Sequence, residues 1–209
     1  DTNGIPIPYG KEYLVNMIDE TLIRKDIGAA REKGAEIIVV AMHWGQEYSR
    51  EPSTEQQQWA EKIISWGADL ILGSHPHVLQ RVEFITTGEG DSQREGIVIY
   101  SLGNFIADQI LEHTDSGIIL RIRYRRNEEG KIGIAEINCV PTWIHRYSIG
   151  GPREFRVVAV DDAISDYQDG RDPLIKSYHY DQLMKVHKET SELIWLDPYS
   201  SRRELLQTR

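Results

Sequence analysis

Apolar positions follow two periods along this chain, and the change from one to the other maps its elements. Ile23, Ile27 and Ala30 recur at helical spacing between Leu22 and Lys33, and Gly34 follows as a stop. Ile37 to Met42 is an unbroken apolar run rich in β-branched residues, the pattern of a strand covered on both faces. Ser53-Thr54-Glu55-Gln56 has the form of a capping box, with Ser53 as N-cap and Gln56 reaching back. The helix it opens is predicted to reach Trp66, with Trp59 and Ile63 on its inner face and Gly67 ending it. Asp69 to Leu72 is a second apolar run. A strand, a helix and a strand at this spacing form a right-handed parallel unit. The two loops that leave these strands, His43 to Pro52 and Gly73 onward, therefore share one edge of the sheet.

Period two dominates further on. Val82–Ile85 and Ile97–Leu102 read as short strands, and the polar stretch Thr86–Gly96 between them as a hairpin tip. Ile118, Leu120, Ile122 and Tyr124 alternate with Ile119, Arg121, Arg123 and Arg125, which gives one apolar and one largely basic face. Asn127-Glu128-Glu129-Gly130 is predicted to turn the chain into a partner strand over Lys131–Val140, and Phe155–Val160 is a further short strand. Residues 1–20 form a polar, extended lead-in. Residues 161–209 are predicted to be helical, with Tyr180, Leu183, Met184, His187 and Ile194 on one helix and a fraying Ser200–Arg203 stretch. The division expected is an α/β body over 1–160 and a helical appendage over 161–209.

Charge and composition narrow the partners. The 209 residues carry a formal net charge of −9. That disfavours nucleic acid or an anionic membrane surface as the main partner. It leaves an anionic substrate open, because a metal inverts the local field. One cysteine, Cys139, rules out a disulfide framework within the chain. No stretch approaches the roughly 20 apolar residues of a membrane helix. The opening Asp1-Thr2-Asn3-Gly4-Ile5-Pro6 lacks an initiator Met and reads as processed or cut from a longer product.

The chemistry-bearing residues gather at the two strand ends. His43-Trp44-Gly45 closes the first apolar run, and Gly73-Ser74-His75-Pro76-His77 closes the second. Ligands of open α/β sheets bind in the crevice outside such ends. Pro76 biases His75 toward an extended shape, in which alternate side chains point the same way. Two imidazoles then face one pocket as candidate metal ligands, joined by His43. The plainer reading is a capped strand and a rigid His-Pro-His turn. Glu47 is a metal ligand, a general base or a surface charge. Asn104, in Ser101-Leu102-Gly103-Asn104-Phe105, is a substrate or metal contact or a turn-maker. Trp44 is a core residue or a ligand platform. The arginine face of 121–125 is a polyanion site, a solvated face, or a face covered by the acidic C-terminal helices. His113, His145, His179 and His187 have no such company in the sequence.

Ala41-Met42-His43-Trp44-Gly45-Gln46-Glu47-Tyr48 with Pro52, Gln57 and Ala60, then Trp66 to Gln80, then Ile99 to Phe105, resemble the ordered motifs of the CapA family of poly-γ-glutamate capsule biosynthesis proteins. The resemblance covers about residues 22–107. It implies a calcineurin-like metallophosphoesterase fold, a layered α/β/β/α sandwich, of which 1–160 would be the C-terminal part with the N-terminal half missing. It implies His43, His75 and His77 as ligands of a divalent metal (Mn, Zn or Fe), with His75 and Glu47 in catalysis and Trp44, Glu47 and Asn104 lining the substrate pocket. The implied activity is metal-assisted hydrolysis of a phosphoester or related bond. The alternative is a non-catalytic scaffold or polymer-binding subunit of a membrane synthase complex. Expected partners are an anionic polymer or phosphoester, and the expected location is extracytoplasmic, with membrane association in the precursor.

Overall fold

The computed structural model describes residues 4–194 and 206–208. The lead-in carries one short 3₁₀ turn, Glu12–Leu14. Helix α1, Glu20–Glu32, starts where the Asp19 side chain accepts the Leu22 N–H at 2.8 Å. Strand β1 is Val39–His43, helix α2 is Thr54–Ser65, and strand β2 is Leu70–Ser74. The capping box predicted at Ser53 is present, with the Gln56 N–H 3.2 Å from Ser53 Oγ and the Ser53 N–H 3.0 Å from Gln56 Oε1.

Strands β3, Val82–Thr87, and β4, Arg94–Ile99, complete a sheet of order β1-β2-β4-β3, in which β1, β2 and β4 are parallel and β3 is antiparallel to β4. Alternation along the strands sorts the core. Ile71, Ile85 and Val98 pack under α1 and α2 with Ile27, Ile63 and Ile64. Leu70, Val82, Ile97 and Ile99 face the other way and meet Ile118, Ile137 and Cys139 of a second sheet. That sheet comprises β5, Ser116–Arg126, β6, Ile132–Tyr147, and β7, Glu154–Ala159, with β8, Leu206–Thr208, parallel to β6. Helices α3, Val160–Gln168, and α4, Ser177–Ile194, pack against it through Trp143, Val160, Leu183 and Val186. The result is the mixed α/β sandwich that the periodicity and the resemblance implied.

Three expectations change. The apolar run at β1 is covered on one face only: β1 is an edge strand among the described residues, and Val39 is 50% exposed. The hairpin tip shrinks to Gly88–Gln93, because Thr86 and Thr87 pair with Glu95 and Arg94. Arg94 anchors that end of the sheet on Gly67 O at 3.0 Å and Asp69 Oδ1 at 3.1 Å. Strand β6 runs past Val140 to Tyr147, since Trp143 and His145 are buried under the C-terminal helices. The expected Ser200–Arg203 fraying lies outside the described residues.

His145 and His179, solitary in sequence, form a buried pair. Arg156 Nε donates to His145 Nδ1 at 2.9 Å, which puts the imidazole proton on Nε2, 3.2 Å from His179 Nδ1. The Lys176 N–H donates to the same His179 nitrogen at 3.1 Å, and Asp172 holds Arg156 at 2.5 Å. Burial, then the neighbouring His179 and Arg156, push the His145 pKa down to about 4, and burial lowers that of His179. Both rings are neutral in the fold at pH 7. As pH falls below about 6.5 the unfolded chain takes up protons that folded His145 refuses until about 4. Stability should therefore fall through that window, by about 2–3 kcal/mol for His145 at the acid limit. The check is thermal unfolding between pH 7 and 4.5 in the protein and in His145→Gln, whose melting temperature should depend less steeply on pH; an equal slope would refute the assignment.

Candidate functional site

The site is built on the parallel pairing of β1 and β2, whose register sets His43 opposite Ser74 at two neighbouring strand ends. The ring centroids of His43 and His75 lie 4.6 Å apart, and those of His75 and His77 lie 6.3 Å apart. The three predicted histidines are thus neighbours. They come together by a different backbone from the one expected. His75 has φ +104° and His77 φ +60°, so the His-Pro-His stretch is not extended. Strand β2 ends at Ser74, and the chain is then pulled aside by tertiary hydrogen bonds: the Trp44 N–H to Ser74 O at 3.1 Å and the Tyr48 N–H to Pro76 O at 2.8 Å. Tyr48 also has a positive φ, +65°, and stacks on His77 with centroids 6.2 Å apart. Three non-glycine residues in this region within one loop pair concentrate backbone strain at the cluster.

Close packing holds the strand end. A Cβ on Gly73 would sit 1.9 Å from Tyr100 O and 2.7 Å from Trp44 Nε1. Trp44 is buried, donates Nε1–H to Tyr100 O at 2.9 Å, and stacks on Tyr100. It is a core residue, and one edge of it also lines a cavity of about 150 Å³ with His43, His75, Gln56 and Trp59. The loop after β1 is tied down by two buried glutamines. Gln56 Nε2 donates to Gln80 Oε1 at 2.9 Å, and Gln80 Nε2 donates to Ser49 O at 2.9 Å and Glu51 O at 3.2 Å. The capping residue of α2 therefore also fixes the loop that carries Tyr48.

Asn104 orients His77. Its Nδ2 donates to Thr114 O at 2.9 Å and Gln109 Oε1 at 2.8 Å. A carbonyl only accepts, so the amide is fixed with Oδ1 toward His77 Nδ1, 3.0 Å away. Neutral His77 then carries its proton on Nδ1 and its lone pair on Nε2, with Nδ1–H held by an outer partner as is usual for a metal-binding histidine. Gln109 in turn donates to Tyr48 Oη at 3.2 Å. Sequence reading gave no role to Gln109 or Thr114, which carry no local signature, nor to Tyr48, which it quoted only within the first motif. Ser74 Oγ donates to Met42 O at 3.2 Å and lies 3.4 Å from His43 Nδ1. Burial, then the neighbouring His75, lower the His43 pKa. His75 Nδ1 is buried and has no hydrogen-bond partner. Glu47 is exposed, with no hydrogen bond or ion pair among the described residues. Among those residues, no three His, Cys, Asp or Glu side chains already converge as a metal cage. Cys139 is buried, its thiol pushed up to about 12, and is no nucleophile.

The fold and site define an α/β sandwich with an imidazole cluster at its parallel strand ends. Residues 2–109, just over half the chain, match the bacterial capsule synthesis protein family PGA_cap, and the chain belongs to that family. It is 33% identical over 138 residues to the PGA biosynthesis protein CapA of Bacillus subtilis (strain 168), which covers 66% of this chain and 31% of that protein. It is 36% identical over 120 residues to the capsule biosynthesis protein CapA of Bacillus anthracis, with 56% and 27% covered. The chain thus spans about a third of the length of the curated relatives it matches.

Gly73→Ala should cost about 3 kcal/mol or more, because the added methyl meets backbone that cannot move; urea unfolding measures it, and a neutral result would contradict the packing. Asn104→Ala should unfasten His77 from its Nδ1-protonated form. Nitrogen-15 NMR of the imidazoles should show the tautomer shift to a mixture, together with about 2 kcal/mol lost through the unpaired Thr114 carbonyl.

Proposed function

We propose that His43, His75 and His77 hold a divalent metal, and that the protein works in the synthesis or export of an anionic capsule polymer. The observation that carries the metal reading is the pairing of a buried, unpartnered His75 Nδ1 with a His77 ring whose Nδ1–H is held by Asn104. A nitrogen donor set favours Mn²⁺, Zn²⁺ or Fe over Mg²⁺ or Ca²⁺. Three imidazoles are one short of a closed structural zinc site and suit an open, catalytic one. A metal held there would supply Lewis-acid polarisation and an activated water for hydrolysis of a phosphoester or related bond. The chain's own part is positional. Asn104 and Tyr48 fix His77, Ser74 faces His43, and Trp44 with Gln56 walls the adjoining cavity. Glu47, exposed on the loop that also carries Tyr48, is the candidate general base. The capsule reading rests on the family and on the relatives' names, and it carries an extracytoplasmic location and a membrane synthase complex as partner.

One observation favours a second reading, a non-catalytic scaffold that retains the fold: no three candidate ligands already converge among the described residues. Metal loading separates the two. The protein, loaded with Mn²⁺ or Zn²⁺ and desalted, should retain metal by plasma mass spectrometry, and it should hydrolyse bis(p-nitrophenyl) phosphate. His75→Ala and His77→Ala should each lower metal affinity about tenfold or more while leaving the circular dichroism unchanged. Full occupancy in both variants would dismiss the ligand set. Metal retention without hydrolysis, or neither, would favour the scaffold.

A further inference from the structure

The loop between β4 and β5 reaches the histidine cluster through one side chain. Gln109 Oε1 accepts from Asn104 Nδ2 at 2.8 Å, and Gln109 Nε2 donates to Tyr48 Oη at 3.2 Å. Asn104 bonds His77, and Tyr48 stacks on it. Both side chains that set the His77 ring therefore hang on Gln109. Thr114 O is a second acceptor for Asn104 Nδ2. With that carbonyl alone the amide can turn and offer Nδ2 to His77. With Gln109 Oε1 as well, turning it breaks two hydrogen bonds.

What holds Gln109 is not the loop itself. The loop's ends are pinned, where the Asn104 N–H meets Ser116 O at 3.2 Å and Gly103 bridges to Gly117. Between them, among the described residues, the one backbone-to-backbone bond that residues 105–113 make is Leu111 O with the Thr114 N–H. Apolar burial does not anchor the loop either, because Phe105, Ile106, Ile110 and Leu111 are all exposed. A cavity of about 310 Å³ lies beside it, bounded by Gln109, Arg146 and the α4 residues Gln182, Lys185 and Glu189. Hydrogen bonds from side chains must set the course of such a loop.

Arg146 supplies the strongest of them. Its Nη2 donates to Gln109 O at 2.5 Å and to Ala107 O at 3.1 Å. Thr114 Oγ1 adds a neutral bond to Gln109 O at 3.1 Å. A charged guanidinium binds a carbonyl more tightly than a hydroxyl does. Alternation along β6 turns Arg146 to the face opposite buried His145. Ser116 pairs with Trp143, so β6 runs on past the start of β5 into the space the loop crosses. Arg146 Nε is buried without a hydrogen-bond partner, 3.8 Å from Asp108 Oδ1. The guanidinium is thus committed to the loop carbonyls. The family match spans residues 2–109, and Arg146 lies outside it.

We propose that Arg146 is a positioning residue for the histidine centre. It fixes Gln109, and through Gln109 the amide of Asn104 and the ring of Tyr48, so that His77 keeps its proton on Nδ1. That this serves a ligand rests on the metal reading above; that His77 depends on Arg146 does not.

The experiment is nitrogen-15 NMR of the imidazoles in the full chain, with chelator present and at a pH above the ordinary histidine range. Arg146→Met keeps the apolar stem and removes the donors, and the exposed loop carbonyls can turn to water. His77 should then lose its single Nδ1-protonated form and show the mixture expected of Asn104→Ala. Arg146→Lys, whose amine stops short of the Nη2 position, takes the place of Arg146→Met if that variant misfolds, with the same result expected. Arg153→Gln, which removes an exposed ion pair with Asp108 on the same loop, should leave His77 as in the wild type. An unaltered His77 in folded Arg146→Met, or in Arg146→Lys where the former does not fold, would overturn the proposal, since the pinned ends and Thr114 would then suffice. So would the same mixture in Arg153→Gln, because any loosening of the loop would then be enough. The readout needs no metal, so failure of the metal-retention experiment would leave it unchanged.

Discussion

The parallel pairing of β1 with β2 is the constraint on which the rest of the site depends. Its register puts His43 across from Ser74, and the next three residues bring two more imidazoles to the same place. That register needs Gly73, because Tyr100 O and Trp44 Nε1 leave no room for a Cβ. It also needs β4 on the far side of β2, which supplies Tyr100 and, a few residues later, Asn104. Three strand ends thus contribute to one cluster. The helices on one face and the second sheet on the other hold them there by burying both faces of β2 and β4.

The cluster is held under strain by groups that are fully bonded. His75, His77 and Tyr48 sit at positive φ, which side-chain-bearing residues adopt at a cost of order 1–3 kcal/mol each. Offsetting this are buried amides with their hydrogen bonds made: Gln56 to Gln80, Gln80 to two loop carbonyls, and Asn104 to Thr114, Gln109 and His77. Such networks fix geometry because breaking one bond strands its buried partner. Amid them, His75 Nδ1 is buried without a hydrogen-bond partner.

The second sheet divides its labour by position. One stretch of β6 faces the first sheet through Ile137 and Cys139; its far end carries Trp143 and His145 under α3 and α4. The outer side of β5 carries arginines that no described element covers. The histidine cluster at the ends of β1 and β2 and the arginine row on β5 thus belong to different sheets.

Much of this was legible in the chain. The capping box at Ser53, the parallel strand–helix–strand unit, the histidines at two strand ends and the arginine alternation are local, because backbone geometry repeats every two or 3.6 residues and side-chain chemistry is written at each position. The lengths of β6 and of the β3–β4 hairpin were not, since they depend on what buries Trp143 and where Arg94 finds acceptors. Nor was the positive φ of His75 and His77, which is imposed by hydrogen bonds from Trp44 and Tyr48, some thirty residues upstream. The roles of Asn104, the His145–His179 pair and Arg146 are likewise matters of contact. The sequence by itself determined which elements form and which chemistry stands at their ends. Tertiary structure alone decided which nitrogen keeps a proton, which amide is satisfied and which charge stays uncovered, because each of those is settled by partners distant along the chain.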